Sequence, residues 1–523
     1  MGNDQLGGSA SETGAGQTNE SHLSMTQSTD KPTRPISDRL EDNLRVIEEV
    51  FKDNTDLIYR PWTYGPGLQY TACSVYYETL MQGTIVNYMK TALQDLVAHE
   101  VGPATTITPE DVITFFEGRG VSDKKANLLE DMDNAIEQIV YGNIVIFFDR
   151  WNKALIYQSL NVETRQITEP ANESVVQGPR ESTVENLQKN VGLLRMRLNT
   201  PKFKVESIIG GGETKTKVVY GYIDGTVDPE LLKEFKKRID EIKQVEILES
   251  SYIEQLIEDS TWSPFPQHRY TERPDVATAA LLEGKIAVIV QGTGSILLCP
   301  GLFTEFFQSS EDYYQRTVIS ALIRWLRIIA FIIALTLPSI YIALSTFHAE
   351  LIPTVLLLAI VDAREGIPYP TIFEMLIMEF FFELLREAGL RLPRPIGSTV
   401  SIVGALVIGE AAIDAGIASP IVVIIVALTG IASFAIPQYN IAIALRILRF
   451  PLMIAVTVLG GFGMMICFLL ILLHLCKLRS LGQPYLAPFT PLRTFQLRDV
   501  FVRVPLKKLL KQPRNRHMHK TAR

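Results

Sequence analysis

The chain has 523 residues, long enough for two or three domains, and its 47% apolar content is high for a soluble protein. Four cysteines (Cys73, Cys299, Cys467, Cys476) show neither CxxC pairing nor the density of a secreted disulfide scaffold, so free thiols in a reducing compartment are expected. The net charge of −7 hides a split: twelve Lys and Arg from Lys477 onward face Asp499 alone, giving the tail +11 and the remainder −18, which reads as a basic segment on anionic lipid rather than a nucleic-acid binder.

Residues 1–36 are mostly Gly, Ser, Thr, Asn and Gln, with too little to bury to offset the entropy of ordering, and are expected to form a disordered polar arm. No apolar signal segment opens the sequence, so the N-terminal region is expected to stay on the side where it is made. ISDRLEDNLRVIEEV places Ile36, Leu40, Leu44, Ile47 and Val50 at helical spacing behind a Ser37 cap, and DLIYR follows as a strand. YTACSVYYETL then predicts a strand and residues 82–99 a helix.

That layout recurs. KVVYGYIDGTV predicts a strand, and DPELLKEFKKRIDEI a helix with Asp228 as cap and Pro229 in its first position. Aligning SVYYETLMQGTIVNYMKTAL with YGYIDGTVDPELLKEFKKRI suggests two copies of one strand-turn-helix unit. NIVIFFD and ALIYQS flank a hairpin turn at 150–153, and KIAVIVQGTGSILLCP repeats the hairpin after a helix in DVATAALLEG. Residues 169–198 read as a linker with a turn at Gly178 and Pro179, then a packing helix carrying Asn186, Asn190, Arg195 and Arg197. The organisation expected is a first α/β subdomain at 37–160, a linker helix and second α/β subdomain at 161–315, an α-helical polytopic membrane domain at 316–480, and a basic cytoplasmic tail at 481–523.

A spanning helix needs about 20 apolar residues. Candidates lie at about 328–347, 397–415, 417–436 and 451–476. Two further segments, about 351–363 and 371–388, read as re-entrant or interfacial helices. Four spans agree with Arg324, Arg327 and the tail all lying inside, but they place Arg446 and Arg449 outside, against the positive-inside rule.

The segment at 371–388 carries a stripe of acids. At about 100° per residue, Arg386, Glu379, Glu383 and Glu387 occupy one narrow arc, while Phe380, Phe381, Phe382, Leu384 and Leu385 cover most of the rest. Thr371 and Glu374 have capping-box spacing, and Gly389 suits a helix stop. Charge at membrane depth needs a partner or water. Two readings stay open: a helix lining an aqueous pathway or subunit seam, and an interfacial helix whose stripe faces solvent or pairs Arg386 with Glu383. Glu410 and Asp414, four residues apart in an otherwise uncharged span, add to a polar path, and acidic rings from several subunits are one way to build a cation pore. No phosphate loop, HExxH or GxSxG is present, and the seven histidines form no ligand-spaced pair in the domains, so no enzyme, cofactor or metal site is expected.

PFPQHRYTERPDVATAALLEGKIAVIVQGTG, EFFQSSEDYYQR, LPSIYIA, HAELIPT, LLREAGLRLPRPIGSTVSIVGALVIGEAA and SLGQPYLAPFTP, with GPRESTVENLQKNVGLLRMRL, together resemble the A subunits of spore germinant receptors, the GerA/GerK family of endospore-forming bacteria. The resemblance runs from about residue 40 to 492. It implies a receptor subunit in the spore inner membrane with both termini cytoplasmic, acting with a transporter-like B subunit and a lipoprotein C subunit. It also implies a homo-oligomer that acts as a ligand-gated cation channel and turns nutrient binding into germination. If this chain shares that channel role, Glu379, Glu383, Glu387, Arg386, Glu410 and Asp414 are the candidate pore or gate residues. QGTGSILLCP departs from the more usual DGTP-like hairpin, and the two terminal extensions lie outside the shared part. A receptor-independent homologue acting with the dipicolinic-acid channel and an ion-coupled secondary transporter remain alternatives; the membrane half shows no internal repeat of the transporter kind.

Overall fold

The computed structural model describes residues 34–64, 70–81, 126–157, 169–170, 172–492 and 497–505. The expected arm through residue 33, the helix expected at 82–99 and the tail from 506 lie outside them.

Helix α1 (Leu40–Val50) buries Leu40 and Ile47. It starts at Leu40 and not Ile36, because Ile36 donates its N–H to Glu130 O (3.0 Å) and Pro35 bridges Asp131. Ser37 does not cap it; its Oγ accepts from Arg39 N, and Arg39 occupies the cap position. Strands β1 (Leu57–Tyr64), β2 (Tyr70–Tyr77), β3 (Ala126–Leu129), β4 (Ile144–Phe148) and β5 (Ala154–Tyr157) form an antiparallel sheet in the order β1-β2-β4-β5-β3. Pro61, which cannot donate to a ladder, sits on the edge strand β1. Helix α2 (Met132–Val140) separates β3 from β4.

The second unit repeats the first. Helix α3 (Leu187–Arg197) corresponds to α1, and strands β6 (Phe203–Gly210), β7 (Thr216–Ile223), β8 (Arg269–Thr271), β9 (Ile286–Val290) and β10 (Ile296–Cys299) take the order β6-β7-β9-β10-β8. Helices α4 (Pro229–Ile239) and α5 (Ser250–Ile257) follow β7, and α6 (Pro274–Leu282) takes the place of α2. Asp228 caps α4 as expected, accepting from Glu230 N at 2.9 Å, with Pro229 in the first turn. The duplication is therefore wider than the strand-turn-helix pair seen in the sequence, and it extends to one side chain. In the first unit the buried Asn43 exchanges two hydrogen bonds with the backbone of Ser37 (2.8 and 2.7 Å), and in the second Asn190 does the same with Val184 (2.8 and 2.6 Å).

The units are clasped by Arg195 of α3. Its Nε and one terminal nitrogen grip both oxygens of Asp56 at 2.7 Å, its other terminal nitrogen donates to Phe203 O at 3.0 Å, and the guanidinium lies 3.9 Å from the Tyr77 ring centre. A planar fork matched to a carboxylate is what a buried arginine requires.

The helical half comprises α7 (Thr317–Thr346), α8 (Thr354–Ala363), α9 (Thr371–Arg391), α10 (Arg394–Asp414), α11 (Pro420–Phe434) and α12 (Tyr439–Lys477). Helices α7 and α12 are long and apolar enough to cross a membrane. Outward-facing Leu322, Ile329, Val355, Ile431, Phe462 and Met465 give this half an apolar coat that a soluble protein would not carry. Its near end packs on the second unit, where Phe265 and Phe306 join Ala330, Ile441 and Leu475 in one core. Its far end gathers Ile342, Met375, Ala418 and Val456.

Several expectations are corrected here. Helix α7 runs over Thr317–Thr346 and takes in the segment expected to span at about 328–347, whereas α11 has 15 residues where a span over 417–436 was expected, only about 22 Å of rise. The span expected at 451–476 is one arm and part of another: α12 is broken at Gly460 (φ 59°, ψ −143°), a backbone state reserved for glycine, and folds into a hairpin of arms 439–459 and 461–477. Phe347 and His348 pack against its tip at Gly460 and Gly461, while Tyr439 and His474 return to the second unit. Helix α9 is longer than the segment expected at 371–388. It continues through Gly389 to Arg391 and runs from the far end, where Glu374 pairs with Arg364 (3.0 Å) and accepts from Ser419 N (3.0 Å), to the near end at Leu390. The Thr371–Glu374 capping box does not form, because Glu374 takes a cationic partner instead of its own helix start. The first arm of α12 starts at the near end, and its Arg446 and Arg449 pair with acids of α9 and do not stand as loop charges.

Arg324 and Arg327 are not free flanking charges either: both are buried on Asp312, at 3.1 and 2.8 Å. The tail also folds back before it leaves. Strands β11 (Arg479–Ser480) and β12 (Gln483–Pro484) pair, Tyr485 is buried, Ser480 Oγ donates to Gln267 O, and Asp499 meets Arg324.

The hairpin yields a test. A Cβ on Gly463 would lie 2.2 Å from Ala455 O, a backbone atom that cannot step aside, whereas one on Gly409 would meet Val423 at an ordinary 3.5 Å. Gly463→Ala is expected to lower the thermal midpoint of the detergent-solubilised protein despite alanine's better helix propensity. Gly409→Ala is expected to leave it unchanged or raise it, alanine being favoured by about 1 kcal/mol in a helix.

Candidate functional site

Two elements place charge inside the apolar bundle, and a third adds a hydroxyl. Helix α9 presents Glu379 and Glu383 one turn apart, and the first arm of α12 presents Arg446 and Arg449 three residues apart, so each pair shares a helix face. Arg449 and Glu379 are both fully buried and meet at 2.9 Å. Arg449 also reaches Glu383 at 3.3 Å, and Arg446 binds the other Glu383 oxygen at 3.0 Å. Arg386, a turn beyond Glu383, donates to it at 3.4 Å and to Ser433 Oγ of α11 at 3.0 Å, with its guanidinium stacked between Phe382 and Phe434.

The stripe read from the sequence therefore divides. Glu379, Glu383 and Arg386 come together, joined by Arg446, Arg449 and Ser433. Glu387 does not join them: it is exposed and paired with Arg391 at 2.6 Å. Glu410 and Asp414 lie on α10 and are exposed, apart from the network. The sequence did hold a signal for the missed partners, since two arginines at i and i+3 in an apolar run complement two glutamates at i and i+4 in another. Reading each helix alone left them unpaired.

The network is built of paired carboxylates and guanidiniums. Its chemistry is electrostatic. Each charge is tolerable in a low-dielectric bundle only while its partner stays in place, so the helices carrying them are held in one register. Opening the network costs the full desolvation of the separated ions unless water or another ion enters.

A tandem α/β region fastened to an apolar helical bundle with an internal ion network defines a membrane-associated protein with a soluble head. Comparison with known proteins narrows this. Residues 45–515 match the family model for the Bacillus/Clostridium GerA spore germination protein, and the chain belongs to that family. It is 43% identical to the uncharacterized membrane protein YfkQ of Bacillus subtilis (strain 168) over 92% of each chain. It is 42% identical to spore germination protein KA of the same organism, over 90% of this chain and 85% of the relative. A solved structure, the N-terminal domain of the A subunit of the Bacillus megaterium spore germinant receptor GerK3, is 27% identical with a TM-score of 0.40, covering 52% of this chain and 99% of that one.

The network predicts unequal effects along one stripe. Glu379→Gln removes the fully buried carboxylate from Arg449, leaves it the more distant Glu383 shared with Arg446 and Arg386, and is expected to cost about 3 kcal/mol in unfolding of the solubilised protein. Glu387→Gln, at the exposed pair, is expected to stay within about 1 kcal/mol of the parent. Equal effects at the two positions would mean that Glu379 is not the buried anchor.

Proposed function

We propose that this chain is the A subunit of a nutrient germinant receptor in the spore inner membrane. In this reading it is a polytopic, non-enzymatic subunit with cytoplasmic termini that oligomerises and converts nutrient binding into cation movement. A transporter-like B subunit and a lipoprotein C subunit are its partners. The Glu379–Arg449 network acts as the brace that holds the resting arrangement of α9, α11 and α12.

One observation carries the channel reading. Glu410 and Asp414 stand exposed, one turn apart, on a helix whose exposed neighbours are Leu406, Val407 and Ile413. A carboxylate facing hydrocarbon is costly, so such a face belongs against water or another subunit. Repeated around an oligomer, the two acids supply the negative rings that favour cations. Glu379 and Glu383, already neutralised by arginine, are poorer pore-lining groups.

The test is a spore carrying Glu410→Gln with Asp414→Asn in place of the natural gene, in a strain that depends on this receptor. Potassium release after nutrient addition is expected to fall several-fold while the protein stays at its normal level in the inner membrane. Undiminished release at normal protein level would remove these acids from the conduction path. A deletion that leaves germination with every nutrient intact would remove the receptor reading itself.

A further inference from the structure

A cavity of about 730 Å³ lies where the second α/β unit meets the near end of the bundle. Arg269 lines it from the soluble side, Arg386 and Arg446 from the helices, with Glu173, Gln438 and Ser433 between them. Each of the three arginines has a buried Nε with no hydrogen-bond partner among the described residues. All three side chains are at least 86% shielded from solvent. Three largely buried guanidiniums around one space, each with a donor left unmet, form a cationic lining suited to an anion.

The charge balance agrees. Arg269, Arg386, Arg446 and Arg449 face Glu173, Glu379 and Glu383, leaving one positive charge over. Arg269 is the least committed of the four: the ion pair it makes among the described residues, to Glu173, spans 3.9 Å. The Glu173 carboxylate is already engaged: one oxygen accepts from Thr271 Oγ1 (2.6 Å) and Glu272 N (3.0 Å), the other from Gln438 Nε2 (3.2 Å). A free amino acid would bring an ammonium group with no open carboxylate to receive it, so the site suits an anion without a nearby cation. Arginine forks match phosphate oxygens in particular.

The rim identifies the source of that phosphate. Leu390, Phe434 and Tyr439 border the cavity with more than half of each side chain exposed on the outside of the bundle. This is the level at which a head group would sit beside a membrane-embedded helix, with apolar side chains below it for the acyl chain and a tyrosine at the interface. We propose that this cavity binds the phosphate of an anionic phospholipid, so that lipid bridges the soluble head and the helices. The inference does not depend on ion conduction.

The test uses the full chain purified in a neutral detergent and titrated with phosphatidylglycerol, phosphatidylcholine or inorganic phosphate, with lipid retention read by native mass spectrometry and stability by thermal midpoint. Phosphatidylglycerol is expected to be retained at least tenfold better than phosphatidylcholine and to raise the midpoint. Arg269→Gln should erase that preference, while Arg269→Lys, which keeps the charge and guards against a folding artefact, should retain most of it. Equal retention of the two lipids, or a preference untouched in Arg269→Gln, overturns the site. Stabilisation by inorganic phosphate without a phosphatidylglycerol preference overturns the lipid assignment and leaves a free-anion site.

Discussion

Arg449 sits ten residues into an apolar arm and has no water to turn to, so its charge must be met by Glu379 and Glu383 from a helix some seventy positions earlier in the chain. That requirement orients α9 against α12 and, through Arg386 and Ser433, fixes α11 beside them. The same solution recurs at the other seams. Arg195 and Asp56 join the two α/β units, and Arg324 and Arg327 share Asp312 where the soluble region meets α7. In each case a buried guanidinium specifies a register that apolar packing alone would leave freer, because sliding by one residue would strand a charge.

The tandem units explain why so regular a head can feed so irregular a bundle. Both sheets are antiparallel with the same strand order, and each holds its leading helix by the same asparagine. The second unit touches the bundle through Phe265, Phe306 and the returning tail. The first unit is joined to the second by the Arg195 clasp.

Much of the head was legible because its signals are local. Asp228 followed by Pro229 announces a helix start, and the Arg150–Lys153 and Gln291–Gly294 turns announce hairpins, each within a few residues. The bundle was harder for two physical reasons. In apolar surroundings a reversal needs no polar turn residues, so the hairpin at Gly460 is hidden inside VLGGFGMM, where a soluble protein would have marked it with Asn, Asp or Pro. The partners of Glu379 and Glu383 are distant in sequence, and a pattern taken along one helix cannot see them. Ser37 and Thr371 failed as caps because a nearby bridge at Pro35 and a stronger ion pair at Glu374 took precedence.

The Gly460 hairpin has a mechanical meaning of its own. Its first foot, at Tyr439, and its second, at His474, both rest on the second α/β unit, the latter through a 2.8 Å contact between Ser263 Oγ and His474 Nε2, while its tip is held by Phe347 and His348 at the end of α7. Head, arm, tip and returning arm therefore form a closed linkage. Such a loop resists a piston stroke of one arm against the other, since both feet travel with the same body. It yields more readily to rotation of the head about the bundle axis, which would turn the arm bearing Arg446 and Arg449 relative to α9.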